Sequence, residues 1–386
     1  MKEVFVRGRA ITCSLGRDIE KIVSSVREKR VSPEQLPLSF GGTDYTRPYY
    51  RIRRENETFT DLSSEEYFYD VLNTTVGRAL DDAGLSPAER KDCALFFGST
   101  AIDIPLYENK YREAGPESGP IFSEESPGYG KIADTVARAF GLRGPCFTFT
   151  TACTSTANAM IHAAAMIRCG MIRRALVAGY DLYNDLGFFG FESLILITPG
   201  PYRPFDRNRK GIIMGEGCGA VVLDPKRGGS PFRILGGANL CDTNNVTTHD
   251  EEGPIIEKVI MQALKNSGLR PGEISAVKAH ATGTVYNDRT EANGMKRAFG
   301  ADMPPVTGIK PYIGHTVGAA GATELILVTE CAARGFFPAT PGFEELDEEL
   351  GIAPLVEHMP FGRGSIMLNY FGFGGNCTSM VVANGD

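Results

Sequence analysis

The side chains of this sequence best suited to chemistry on a carbonyl group are a cysteine, two histidines and a lysine, each set among glycine, threonine and alanine. Cys153 stands in Thr151-Ala-Cys-Thr-Ser155. Before it, Cys146–Thr150 is β-branched, aromatic or small and reads as a buried strand; after it, Ala157–Arg168 has apolar residues at helical spacing and stops at Gly170. A thiol at a strand-to-helix junction faces unpaired backbone N–H groups and the positive end of the helix dipole. That setting is expected to lower the thiol pKa and favour the thiolate, the form that attacks a carbonyl carbon. His280 lies in Ala279-His-Ala-Thr-Gly-Thr284, after a predicted strand, and Lys310 and His315 lie in Gly308-Ile-Lys-Pro-Tyr-Ile-Gly-His315, before a predicted helix. The chain has five histidines. The other three, His162, His249 and His358, fall mid-helix or in charged loops and read as structural.

What must position these residues is an α/β framework that occurs twice. Ala79-Leu-Asp-Asp-Ala-Gly-Leu-Ser-Pro-Ala-Glu89 and Ala263-Leu-Lys-Asn-Ser-Gly-Leu-Arg-Pro-Gly-Glu273 align without a gap, and the register holds through the following strands to Thr100 and Thr284. Each copy reads helix, glycine stop, proline turn, strand, small-residue exit. More loosely, the helix after Cys153 ends Ile167-Arg-Cys-Gly170 and the helix after His315 ends Cys331-Ala-Ala-Arg-Gly335. Two halves are expected, 1–225 and 226–386, each of strands alternating with helices and so mostly parallel sheet. Two-fold pseudo-symmetry would bring His280 and His315 toward Cys153 at the C-terminal strand ends. Residues 31–62, with Pro33, Pro37, Gly41, Gly42 and Pro48, read as loop. The stretch Ile102–Lys131 has no counterpart in the second half and reads as a loop or cap insertion near 101–131.

Composition narrows the classes. The chain has 386 residues, 42% hydrophobic and 23% charged, with a net charge of −7, which disfavours wholesale nucleic-acid binding. No uncharged apolar run is long enough to span a bilayer, and the N-terminus lacks a signal-peptide core. Nine scattered cysteines without paired spacing suggest reduced thiols, a cytoplasmic setting and no zinc site. Gly372-Phe-Gly-Gly375 and Gly215-Glu-Gly-Cys-Gly219 are not dinucleotide fingerprints, since neither opens a helix in a βαβ unit. No cofactor and no metal are implied.

Five motifs in order carry a resemblance: Thr151-Ala-Cys-Thr-Ser155, Arg203-Pro-Phe-Asp-Arg-Asn-Arg-Lys-Gly211 with Gly215-Glu-Gly217, His280-Ala-Thr-Gly-Thr284, Lys310 through His315 to Gly318-Ala-Ala-Gly321, and Asn369-Tyr-Phe-Gly-Phe-Gly-Gly375. Over nearly its whole length the chain resembles β-ketoacyl-acyl carrier protein synthases of the elongating Cys-His-His type. The resemblance implies a thiolase-like fold, two pseudo-symmetric halves in a five-layer α-β-α-β-α core. It implies that Cys153 takes an acyl group from a carrier-protein thioester and that a malonyl-carrier protein then loses its carboxylate and attacks that thioester. His280 and His315 would stabilise the enolate, Lys310 and Glu324 would position His315, and the backbone N–H groups of Cys153 and Phe373 would form an oxyanion hole. Phe373 would also gate acyl entry; Thr282 and Thr284 would bind the pantetheine arm; Phe191, Phe371 and Gly374 would contact substrate. Asp206 and Arg209 would hold the loop beside Phe373.

Ala281 departs from the family's glycine, and the bulky run Phe188–Ile197 hints at a flat or unsaturated substrate, as in compact members that build polyketide or aryl-polyene chains. Partners implied are an acyl carrier protein, met by Arg51, Arg53, Arg54, Arg173, Arg174, Arg203 and Lys210, and a second subunit, identical or related, paired through the strand Cys146–Thr150. The alternatives are a non-catalytic chain-length-determining subunit of a heterodimer, which would be expected to lose the cysteine, and a CoA-dependent condensing enzyme.

Overall fold

The computed structural model describes residues 2–53, 64–115 and 128–385. Its strands are, in chain order, β1 (Phe5–Cys13), β2 (Glu34–Phe40), β3 (Thr43–Tyr49), β4 (Cys93–Gly98), β5 (Cys146–Phe149), β6 (Arg174–Asp181), β7 (Gly217–Asp224), β8 (Phe232–Cys241), β9 (Ala276–Lys278), β10 (Val306–Thr307), β11 (Phe336–Phe337), β12 (Met359–Pro360), β13 (Gly364–Gly372) and β14 (Asn376–Asn384). Ten of them form one sheet ordered β10-β9-β13-β14-β8-β1-β7-β6-β4-β5. The centre of that sheet is a thin seam: β8 and β1 pair at Phe5 and Arg233 alone. On each side of the seam lie five strands with the same connectivity. If each set is numbered in its own chain order, both read 3-2-4-5-1 from the outer edge, with 3, 2 and 4 parallel and 4, 5 and 1 antiparallel. The fold is thiolase-like, built of two pseudo-symmetric halves.

Between the two half-sheets lie the helices Ser155–Arg168 and Ala320–Ala333. Ala320–Ala333 carries apolar residues on all sides, the signature of a helix enclosed by protein, and every residue from Ala320 to Ala332 is buried; Ser155–Arg168 leaves His162 and Ala165 exposed. The two helices approach closely because Gly321 has no side chain, and a Cβ there would lie 2.2 Å from the Ala157 nitrogen. Thr156 Oγ1 donates to the Gly318 carbonyl across the same contact. Outside the half-sheets pack Glu65–Asp82, on β1 and β7, and Pro254–Ser267, on β8 and β14. The layers are therefore helix, sheet, helix, sheet, helix. The central core draws Met160, Val177 and Val221 from one half and Leu325, Ile366 and Met380 from the other.

Three expectations change. Residues 34–49 are a hairpin rather than loop: Gly41 and Gly42 form its tip with φ of +59° and +78°, and Leu36, Leu38 and Tyr49 bury its inner face. Pro37 and Pro48 are tolerated because a two-stranded ribbon leaves edge positions that need no N–H donor. β5 is the terminal strand of the sheet and is partly exposed, Phe147 at 37%, where the uncharged sequence reads as fully buried. Within the inserted stretch, Ile104–Ala114 is a helix and another begins at Tyr129; residues 116–127 lie outside the described residues. Among the described residues no helix is long and apolar enough to cross a membrane.

Candidate active site

The strand β5 delivers the chain to a sharp turn. Ala152 takes φ +51°, a conformation that costs a residue with a side chain of order 1–3 kcal/mol unless neighbours enforce it. The enforcement is visible: Thr151 N–H donates to Ser155 Oγ (2.9 Å), Ser155 Oγ–H to the Ala152 carbonyl (2.6 Å) and Thr154 Oγ1–H to the Thr151 carbonyl (2.7 Å). The next residue is Cys153, in the single turn Ala152–Thr154 that leads into the helix Ser155–Arg168. The second half repeats the device: Val317 has φ +47°, and Val317–Ala319 leads into Ala320–Ala333. The position matching Cys153 is Gly318. A Cβ there would lie 2.6 Å from the Thr100 nitrogen and 2.7 Å from Asp181 Oδ2, a carboxylate that accepts the Gly318 N–H at 2.7 Å. Across from Cys153 the end of β13 supplies Gly372, which leaves that side open.

Both histidines arrive from the second half. His280 follows β9, where the carboxylate of Glu291 accepts the N–H groups of His280 (2.7 Å) and Ala281 (2.8 Å) and holds Ala281 at φ +50°. Ala281 is fully buried against Gly308 and does not line the pocket. His315 follows the short helix Lys310–Ile313; its N–H donates to the Ile213 carbonyl and its carbonyl accepts the Gly215 N–H. Its Nε2 lies 3.0 Å from Cys153 Sγ, and its ring meets that of His280 edge to face at 5.4 Å. The Sγ and ring-nitrogen atoms of the three residues lie within 4.8 Å of one another. His315 Nδ1 is buried with no hydrogen-bond partner among the described residues. A buried N–H without an acceptor is rarer and costlier than an unfilled acceptor, which places the imidazole proton on Nε2, aimed at the sulfur.

Burial holds both imidazoles well below their usual pKa, with the Lys310 ammonium adding to the shift, so both are neutral at pH 7. Burial also pushes the Cys153 thiol up to about 12, only partly opposed by Lys310. The sequence suggests a lowered thiol pKa; Cys153 is 5% exposed, and loss of water outweighs the helix terminus and the lysine. Lys310 and Glu324 form a buried ion pair (2.7 Å), but Lys310 Nζ reaches His280, at 3.3 Å from Nδ1 and 2.5 Å from its carbonyl, and not His315. The correction follows from the helix Lys310–Ile313, which turns the lysine toward the exit of β9. A second lysine, Lys278, shares Glu324 at 2.5 Å. Two ammonium groups against one carboxylate make this a poor place for a metal cation, although the thiol and imidazoles are close enough to share one.

Cys153, His280 and His315 open into one pocket, lined also by Phe191, Leu196, Ile212, Thr282, Thr284, Phe371 and Phe373. Phe191 and Phe373 stack at 5.3 Å across it. Gly374 does not line it, because its N–H is turned to the Val246 carbonyl (2.7 Å). Asp206 and Arg209 hold their loop against residues 344–347, not against Phe373: Asp206 accepts the Glu344 and Glu345 N–H groups and Arg209 pairs with Asp347. Among the described residues, Arg51, Arg173 and Arg174 do not belong to the expected basic rim. Arg51 is buried over the Tyr183 ring, while Arg173 and Arg174 sit at the start of β6, the end of the sheet away from Cys153, among Asp92, Glu89 and Asp224. Arg53 and Arg203 pair with Glu34 and Glu344, and Arg54 lies outside the described residues. Sequence reasoning also missed Lys278, Glu291 and Asp181, and it misplaced His249, which lines the pocket. Lys278 and Glu291 sit beside motif residues and could have been suspected as charges in apolar or small-residue runs; nothing local marks His249.

The fold and this thiol–imidazole site define a thiolase-like condensing architecture. The sequence itself goes further: residues 1–228 match the β-ketoacyl synthase N-terminal domain and residues 232–344 the C-terminal domain, and the chain belongs to the β-ketoacyl synthase family. It is 32% identical to Nodulation protein E of Rhizobium meliloti, over 99% of this chain and 98% of that protein. It is 30% identical to 3-oxoacyl-[acyl-carrier-protein] synthase 2 of Vibrio cholerae over 79% of each chain. Among solved structures it superposes with TM-score 0.84 on the complex of the ketosynthase ApeO with its chain length factor ApeC from Xenorhabdus doucetiae, at 24% identity, covering all of this chain and 98% of that one.

Proposed function

We propose that this protein is a β-ketoacyl-acyl carrier protein synthase that elongates acyl chains by decarboxylative Claisen condensation. The observation that carries the reading is the thiol of Cys153, 3.0 Å from His315 Nε2, with His280 edge-on to His315 in one pocket. The Cys153 sulfur attacks the carbonyl of an acyl thioester, and the carrier thiol leaves with the proton that the cysteine gives up. A malonyl thioester then enters. Its carbonyl oxygen meets the N–H donors of His280 and His315, its carboxylate departs as CO2, and the electron pair forms an enolate whose negative oxygen those donors stabilise. The enolate carbon bonds to the acyl carbon, the C–S bond to Cys153 breaks, and the thiolate takes a proton from solvent. The backbone N–H groups of Cys153 and Phe373 serve the acyl carbonyl. Neutral imidazoles suit this role, since a donor is needed and a cation is not.

Thr282 and Thr284, hydrogen-bonded to each other at 3.0 Å, face the arm of the carrier's phosphopantetheine. Lys310, Lys278 and Glu324 hold His280 from behind. The stacked Phe191 and Phe373 rings close the acyl side, and Phe373, between the glycines of the β13–β14 turn, is the gate. The partner is an acyl carrier protein, and a second subunit, the same chain or a related one, pairs on the outer edge of β5. The substrate belongs to fatty-acid, polyketide or polyene synthesis.

Incubation with acyl- and malonyl-carrier protein, followed by intact-mass measurement, tests this. Wild-type protein gains one acyl group on Cys153 and releases β-ketoacyl product. Cys153→Ala gains none, and His315→Ala is acylated but forms product at least about 100-fold more slowly. Product formation by Cys153→Ala at the wild-type rate would sink the proposal; wild-type protein that gains no acyl group and forms no product would favour a chain-length-determining role.

A further inference from the structure

His249 is the one pocket-lining imidazole that the condensation just described does not use. Its Nδ1 lies 3.5 Å from Asp242 Oδ2 and 3.6 Å from Cys377 Sγ. The segment that bears it, between β8 and the helix Pro254–Ser267, is tied to the turn that bears Phe373: Asp242 N–H donates to the Gly375 carbonyl (2.8 Å) and Gly374 N–H to the Val246 carbonyl (2.7 Å). Asp242 in turn accepts the N–H groups of Asn244 and Asp250. His249 is thus held in place from three directions.

From that anchor a file of rings runs to the sulfur. His249 meets Phe371 edge to face at 6.1 Å and 71°, Phe371 meets His280 at 5.7 Å and 72°, and His280 meets His315 at 5.4 Å and 83°. Contacts of this geometry are favourable and directional, so each ring limits the tilt of the next. We propose that His249 is a positioning residue for the malonyl step: through Phe371 it fixes the ring of His280 that must receive the enolate oxygen. The inference rests on the ketosynthase reading. Acylation of Cys153 rests on the sulfur itself and on the turn at Ala152, beyond the far end of the file, so the two half-reactions separate the role from general damage.

The test compares His249→Ala and His249→Phe with wild type, measuring Cys153 acylation by intact mass and CO2 release from malonyl-carrier protein on the acylated enzyme over a range of malonyl-carrier concentrations. For His249→Ala, kcat for CO2 release falls about ten-fold more than the acylation rate does, with a smaller change in KM. His249→Phe, which keeps a ring edge on Phe371, returns to within about three-fold of wild type. His249→Asn keeps the contact to Asp242 without a ring and behaves like His249→Ala; it decides the matter should the alanine variant not fold. Parallel loss of both half-reactions, no loss in either, or a phenylalanine variant as poor as the alanine one would overturn the inference while leaving the ketosynthase reading intact. Wild-type protein that never acylates Cys153 would overturn both.

Discussion

In the proposed reaction Cys153 acts as a nucleophile from a site that disfavours its anion. With its pKa near 12 and the imidazoles depressed, the resting site is thiol and neutral histidines, and charge develops only as the thioester carbonyl arrives. The sign of the pH dependence follows. A raised thiol pKa means that direct alkylation of Cys153 by iodoacetamide is slow at pH 7 and keeps climbing with pH through about pH 10, with no levelling near the ordinary value of about 8.5. Depressed imidazole pKa values mean that product formation survives as pH falls below about 6.5 and is lost only at more acid values. Stopped alkylation followed by peptide mass, and condensation rates across pH 5–10, check both; a plateau of alkylation near pH 8.5 would contradict the burial argument. At this scale the sequence was readable where a reactive side chain sits among small residues, as Cys153, His280 and His315 do. Burial was not, so the thiol's pKa direction was misjudged, and His249 is brought to the pocket only by the path of its segment.

The secondary elements carry the site through close approach. The central helices set how far His315, just before one, stands from Cys153, just before the other. Gly321 governs that separation, because a Cβ would collide with backbone that cannot rotate away. Gly321→Val should cost at least about 3 kcal/mol in urea unfolding, at the upper end of overpacking effects, and lower acylation in parallel. A variant as stable as wild type would show that the helices can separate freely. The glycine stops and proline turns of the repeated segments were legible because their chemistry is local. The hairpin of β2 and β3 reads as loop in sequence because its prolines look like loop punctuation, although Gly41-Gly42 between apolar residues is also a hairpin signal. The side on which Lys310 points was not legible at all: Lys310–Ile313 is a single turn, too short for a pattern that marks which histidine its first residue meets.

For the whole molecule, repetition and cohesion go together. The half-sheets barely pair with one another, yet each rests on the same middle layer and shares one core. Neither set of five strands can bury its inner face alone. Urea unfolding followed by circular dichroism and by tyrosine fluorescence should therefore give one coincident transition; two separated transitions would show that the halves are independent. The doubling itself was visible in the sequence, since register survived through helix, turn and strand. What it could not reveal is why the halves differ in chemistry, which depends on groups far apart in the chain.

That difference lies in a carboxylate. Asp181 and the backbone of Thr100 fill the volume beside Gly318 that a twin sulfur would need, whereas Gly372 keeps the room beside Cys153 clear. On the proposed reading, a symmetric scaffold thereby becomes a handed machine with a single tether. However long it is exposed to activated acyl donors, each polypeptide should carry one growing chain and never two.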